Sequence, residues 1–205
     1  MQDDNTSVAA RFDELARDGF MAEFEAEERP MMEAHLARWS VQPGQRILEP
    51  GCGTGRLTEL LAARVGISGE VRAFDISNEM IALAQRRHHT AQVSCEVNDG
   101  RCLDRPDAYF HQIICFHVFP HFVHQDEVLR EFGRVLRADG TLWIAHLMGR
   151  AQVNEVHRNA GPPLDTHLLP DDDTLRAVLA ASGFSLLDVV EDANGFSARA
   201  VPTGA

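Results

Sequence analysis

A chain of 205 residues, 44% of them hydrophobic, has the size and apolar share of one folded domain. Its 31 acidic against 19 basic residues leave a net charge of −12, which repels phosphate backbones and argues against a nucleic-acid partner. No apolar run approaches the ~18 residues of a membrane span, and the opening Met1-Gln2-Asp3-Asp4-Asn5 is acidic and polar, so no membrane partner and a cytoplasmic location are expected.

Residues 8–40 read as helical, with Phe12, Leu15, Ala16 and Phe20 on one apolar stripe and Met31, Met32, His35, Leu36 and Trp39 on another. Pro43-Gly44 turns the chain into a first strand, 46–49. From there strand and helix alternate: helix 56–65, strand 70–75, a helix from Ser77 or Asn78 to about His89, and strand 92–97. Strand 110–116 follows, then helix 125–136 with Val128, Leu129, Phe132, Val135 and Leu136 at helical spacing. Ala138-Asp139-Gly140 is expected to turn into strand 141–147. Pro170 and Asp171 to Asp173 start a last helix, since acidic residues suit a positive helix end. Strands 184–190 and 196–201 flank Asn194-Gly195 and should pair antiparallel. The β–α alternation implies a mostly parallel α/β sheet with helices on both faces.

Gly51, Gly53 and Gly55 follow the first strand at alternate positions and lead into a helix. Such a turn lets bare backbone approach a ligand at the C-terminal edge of a parallel sheet. The third glycine comes one residue earlier than in the dinucleotide fingerprint G-x-G-x-x-G, which leaves less room for a pyrophosphate. Twenty residues beyond Gly55, Asp75 ends the second strand, where a carboxylate can accept both ribose hydroxyls of an adenosine. Asp99-Gly100 follows the third strand, where an acid can accept from an adenine amino group. Each acid taken alone serves equally well as a cap or turn residue. Cys52, Cys95, Cys102 and Cys115 contain no C-x-x-C pair and read as reduced, mostly buried thiols.

With those residues in register, the chain resembles the class I S-adenosylmethionine-dependent methyltransferases over 45–147 and its last helix and strand pair. Glu49-Pro50-Gly51-Cys52-Gly53-Thr54-Gly55 is similar to the family's first motif, and Arg134-Val135-Leu136-Arg137-Ala138-Asp139-Gly140 to the stretch usually written R-V-L-K-P-G-G. Ala138-Asp139 departs from that pattern. The resemblance implies a Rossmann-like three-layer sandwich whose seven-stranded, mostly parallel sheet has its last strand antiparallel. It implies one domain: an N-terminal helical extension over 1–43, a cofactor core over 44–147, a substrate-side loop over 148–169 and a closing unit over 170–205. It also implies S-adenosylmethionine as cofactor, with Glu49 near the methionine amino group and Gly51 to Gly55 beneath the cofactor. Asp75 falls at the ribose, Asp99 at the adenine, and Ile76 against the adenine ring. Cys52, Gly100 and Phe116 belong to the same cofactor-side set.

The acceptor should lie after strands four and five. Cys115-Phe116-His117-Val118-Phe119-Pro120-His121-Phe122 lacks the [N/D]-P-P-[Y/F] sequence of enzymes that methylate nucleic-acid bases or glutamine, so a small molecule is expected. Five of the ten histidines, His117, His121, His146, His157 and His167, belong to segments above one sheet edge. A lone histidine there is ordinarily a packing residue. Five together could supply a general base, a hydrogen-bond clamp, or ligands for a divalent metal from His146, His157 and His167. His117 or His146 is the expected base. Asn154 and His157 share a face of a short helix over 151–158. Phe12, Phe20 and Phe24 either cover the cofactor, pack on the sheet, or join two copies in a homodimer. The rivals to an enzyme of this kind are a non-catalytic S-adenosylmethionine-binding protein and a nicotinamide-dependent Rossmann oxidoreductase.

Overall fold

The computed structural model describes residues 4–87 and 91–204. In chain order it contains α1 (Asp4–Arg17), α2 (Glu28–Trp39), β1 (Arg46–Pro50), α3 (Arg56–Val65), β2 (Glu70–Asp75), α4 (Asn78–Arg87), β3 (Val93–Val97), β4 (Phe110–Phe116), α5 (Gln125–Val135), β5 (Leu136–His146), α6 (Arg150–Ala160), α7 (Asp172–Ala181), β6 (Phe184–Asp192) and β7 (Gly195–Pro202). The seven strands form one sheet in the order β3-β2-β1-β4-β5-β7-β6. β7 runs antiparallel to both neighbours, and the pairs from β3 to β5 are parallel. The order reverses between β1 and β4, so the ends of those two strands open a crevice, the usual ligand position in a sheet of this kind.

Alternation along the central strands makes two cores. Ile114 and Phe116 of β4 pack with Met32, Leu36 and Trp39 of α2 and with Leu57, Leu61 and Val65 of α3. Ile113 and Cys115 face the other way, toward Val128, Leu129, Phe132 and Val135 of α5 and Leu175 and Leu179 of α7. Each of these side chains contributes about 1.5–3 kcal/mol by leaving water, and together they fix which strand ends meet above the crevice. Ser77 caps α4 by accepting the Met80 N–H, and Asp171 caps α7 by accepting the Thr174 N–H at 2.8 Å.

Three boundaries differ from expectation. The N-terminal helical stretch is broken over 18–27, where Gly19 and Met21 take φ of +77° and +51°. The helix after β4 stops at Val135, and β5 starts at once with Leu136 paired to Phe110. The next pair joins Gln112 to Thr141, so Ala138-Asp139-Gly140 belongs to a bulge carried within β5, not to a turn before it. The end of the helix that starts at Asn78, expected near His89, lies outside the described residues.

Candidate active site

The loop after β1 is set by three left-handed glycines, Gly51, Gly53 and Gly55, at φ of +64°, +55° and +82°. A Cβ on Gly51 would lie 2.2 Å from Val118 Cγ2, so this glycine lets the loop close against the exit of β4. A Cβ on Gly53 would meet nothing nearer than Met80 Sδ at 3.9 Å, so its backbone faces open space. The Gly53 N–H donates to Asp75 Oδ2 at 2.9 Å, and the Ser77 N–H to Asp75 Oδ1 at 2.9 Å. One carboxylate thus ties the end of β2 to the glycine loop; burial raises its pKa.

Glu49, one residue before the end of β1, is 2% exposed, and among the described residues its Oε2 has no hydrogen-bond partner. Burial pushes its carboxyl up to about 8. The Thr58 hydroxyl opposes that rise, and a buried carboxyl with one oxygen unpartnered suits a cationic group.

These residues line a cavity with about 960 Å³ of free space, part of it open to solvent. Ile76, Met80, Phe116, Val118 and Phe122 give it apolar walls. α1 roofs it with Val8 and Phe12, and is held there by Asp13 Oδ1, which accepts from the Ser77 hydroxyl at 2.5 Å and the Glu79 N–H at 3.1 Å. Asp99 also lines the cavity, but its carboxylate is engaged: it accepts from Arg101 Nε at 2.7 Å and from Asn5 Nδ2 at 3.2 Å. Burial pushes that carboxyl up, and the Arg101 bonds outweigh this and hold it low. Gly100 backs onto Phe74, 3.0 Å from where its Cβ would be, and Gly100 and Gly55 shape the loops behind the cavity wall instead of lining it.

The five histidines divide. His117 and His121 line the cavity; His146, His157 and His167 do not. His117 sits at φ +58° and its Nε2 accepts the Leu147 N–H at 3.3 Å. Burial holds its pKa well below the usual value, so the ring is neutral and its proton sits on Nδ1. His146 is 1% exposed behind it, ring centres 5.0 Å apart, and burial lowers it to about 3. His121 Nδ1 meets His167 Nδ1 at 3.1 Å, and its ring lies 5.2 Å from Phe12 and 4.7 Å from His157. His157 Nδ1 donates to the His167 carbonyl. Asn154, on the same face of α6, grips Leu169 twice, at 3.0 Å to its carbonyl and 2.7 Å from its N–H.

That arrangement does not support the metal expectation. Among the described residues no group of three His, Cys, Asp or Glu side chains is placed to hold an ion, and the His146 ring packs against Phe196. Residues that contribute to the site but were not singled out in the sequence are Asn5, Asp13, Arg101 and Val118. The i, i+2 spacing of Asp99 and Arg101 was a signal for their ion pair; Val118 gave no sign.

Residues 47–140 match the family model described as a methyltransferase domain. Over that segment the chain is similar to the class I S-adenosylmethionine-dependent methyltransferases. It is 29% identical over 188 residues to methyltransferase GfsG of Streptomyces halstedii, covering 88% of its own length and 65% of that protein's. It is 26% identical over 176 residues to a ubiquinone/menaquinone biosynthesis C-methyltransferase UbiE of Chromobacterium violaceum, covering 75% of this chain and 72% of the relative. Among solved structures it resembles a SAM-dependent methyltransferase from Aquifex aeolicus, with a TM-score of 0.67 at 22% identity over 83% of this chain and 87% of that one. That likeness favours a methyltransferase over the nicotinamide oxidoreductase. No helix of the described residues is long and apolar enough to cross a membrane.

Proposed function

We propose that this methyltransferase transfers a methyl group from S-adenosylmethionine to a small, uncharged acceptor. The observation that carries the reading is one cavity lined by Glu49, Gly51 and Gly53 of the glycine loop, and by His117 and His121. The residues present suit that cofactor. The orphaned Glu49 carboxyl would take the methionine ammonium, the bare Gly53 backbone would lie beneath the ligand, and Asp75, Ile76 and Met80 would face the nucleoside. When bound, the cofactor supplies an electrophilic methyl group.

The protein's own part is placement and proton handling. Phe12, Val118 and Phe122 exclude water and hold an apolar acceptor in line with the methyl group. His117, with its proton on Nδ1, is a donor that would orient the acceptor. His121 keeps Nε2 for the acceptor's proton, because its Nδ1 is committed to His167. The arginines of the cavity are already occupied, Arg56 by Glu28 at 3.0 Å and Arg101 by Asp99 at 2.6 Å, which supports a neutral acceptor over a carboxylate or phosphate. Both curated relatives bear methyltransferase names, and the UbiE name specifies C-methylation in quinone biosynthesis, which supports a small molecule.

The test is incubation with methyl-tritiated S-adenosylmethionine and a panel of phenols, quinols, aliphatic alcohols and thiols. Labelled product with matching S-adenosylhomocysteine supports the reading. Tight cofactor binding with no transfer to any of the panel would favour the non-catalytic binding protein instead.

A further inference from the structure

We propose that His121 and His167 form a proton exit, leading from the inner end of the cleft to a second hollow on the surface. The inference rests on the methyl-transfer reading and extends it to the fate of the acceptor's proton.

Two spaces meet at this pair. His121, in the short 3₁₀ turn at Phe119–His121 after β4, lines the inner cavity. His167, in the connection between α6 and α7, lines an outer hollow together with Gln125, Asp165 and Thr166. Val8, Phe122 and Val123 border both spaces, so only a thin apolar wall separates them. The two rings cross that wall through their Nδ1 atoms, 3.1 Å apart. A ring-to-ring bond of this kind needs one Nδ1 to carry a proton and the other to be bare, so the two tautomers are linked.

The pair is held rigidly from outside. His157 donates to the backbone carbonyl of His167, and Asn154 fixes Leu169 two residues further on. Phe12 closes the cavity side of His121 edge-on. The groups acting on His121 by charge are His157, His167 and His146, all of one sign when protonated. With burial they hold it well below the usual value, so a proton placed there is driven onward.

The step balances as follows. Methylation of a neutral X–H group breaks the X–H bond, whose electron pair stays on X, and frees one proton per turnover. That proton goes to Nε2 of His121. The proton on its Nδ1 passes to Nδ1 of His167, and His167 yields its other ring proton to water in the outer hollow. The relay resets when product release admits water to the cleft: His121 gives its Nε2 proton to that water, the Nδ1 proton returns from His167 to His121, and His167 takes a proton from the outer hollow, so one proton per turnover reaches solvent.

Imidazole nitrogen NMR on uniformly labelled protein, without ligand and with S-adenosylhomocysteine, tests this without an acceptor. A coupling across the Nδ1–Nδ1 bond is expected. Exchange of the His121 ring proton with solvent should slow roughly tenfold in His167→Asn, with melting temperature and S-adenosylhomocysteine affinity unchanged; His167→Gln replaces it should the first variant fail to fold. Exchange as fast as in the wild type in the folded variant overturns the exit, as does a pair with no coupling. With any acceptor the tritium screen yields, kcat should fall about tenfold at constant KM, and an unchanged kcat also overturns it. Slowed exchange in a protein that methylates nothing keeps the exit and sinks the methyl-transfer reading.

Discussion

A side chain on Gly51 would occupy the place of Val118: its Cβ would sit 2.2 Å from Val118 Cγ2 and 2.5 Å from Val118 Cβ. The glycine loop and the acceptor side of the cleft are therefore one packed unit, although 67 residues separate them in sequence, from position 51 to 118.

Gly51→Ala should accordingly fail twice, through left-handed strain at φ +64° and through collision. The expected loss is roughly 2–4 kcal/mol of stability with cofactor affinity reduced at least about tenfold. Because Val118 Cβ itself would lie 2.5 Å away, adding Val118→Gly is needed to recover the steric part, and the strain remains. Chemical denaturation and calorimetric titration with S-adenosylhomocysteine on the two variants would show it; no recovery in the double variant would mean the two residues are uncoupled.

Glu49 gives a pH signature. Its folded pKa is raised to about 8 from 4.5, so the folded ligand-free chain binds this proton more tightly than the unfolded one. Stability should fall as pH rises through that window, level off above it, and lose a few kcal/mol at most. Glu49→Gln should flatten the profile and make the ligand-free protein more stable at pH 8. An ammonium group beside Glu49 favours the ionised acid, so binding at pH 7 should release a proton. Calorimetry in buffers of different ionisation heat measures that release, and it should vanish in Glu49→Gln.

Asn154 uses both ends of its amide on Leu169. Asn154→Ala leaves a buried backbone N–H and carbonyl unpaired, at about 1–3 kcal/mol. Because the loosened segment carries His167, turnover should drop more than S-adenosylhomocysteine affinity does. Equal losses in both would place Asn154 in general folding alone.

Asp13 joins α1 to the start of α4 through Ser77 and Glu79. Asp13→Ala should cost about 0.5–2 kcal/mol and raise proteolytic sensitivity over 18–27, where α1 leaves the body. Bound S-adenosylhomocysteine should restore protection if α1 closes over it. Unchanged cleavage in the variant would show that α1 is held by Val8 and Phe12 without this contact.

Much of the fold was legible because the signals were local. Strand 110–116 and the α5 stripe at Val128, Leu129, Phe132 and Val135 appear where periodicity put them. The acidic start at Asp171 to Asp173 and the turn at Asn194-Gly195 also agree. Boundaries governed by remote partners were harder. Nothing near Leu136 says that its backbone will pair with Phe110, so the bulge at 137–140 read as a turn. The break at 18–27 was hidden because residues on both sides are good helix formers, and of its two left-handed positions Gly19 is a weak signal and Met21 gives none.

The candidate site was legible in its inventory and illegible in its partition. Glu49, the glycines, Asp75 and Asp99 could be named because each lies at or just beyond the end of a strand, and strand ends in a parallel sheet share one edge. The same logic brought five histidines to that edge. It could not say that His146 would lie buried behind His117, or that His121 would reach His167 across 46 residues. Periodicity and turn residues thus determined the strands, the helices between them and the edge where the glycine loop lies, because those follow from neighbours a few residues apart, and composition alone set the acidic net charge. Tertiary structure alone decided which imidazoles enter the cleft, that Asp99 is spent on Arg101 and Asn5, and that Val118 meets Gly51. Those outcomes depend on side-chain directions and burial set by the packing of separate elements, and no short stretch of sequence contains them.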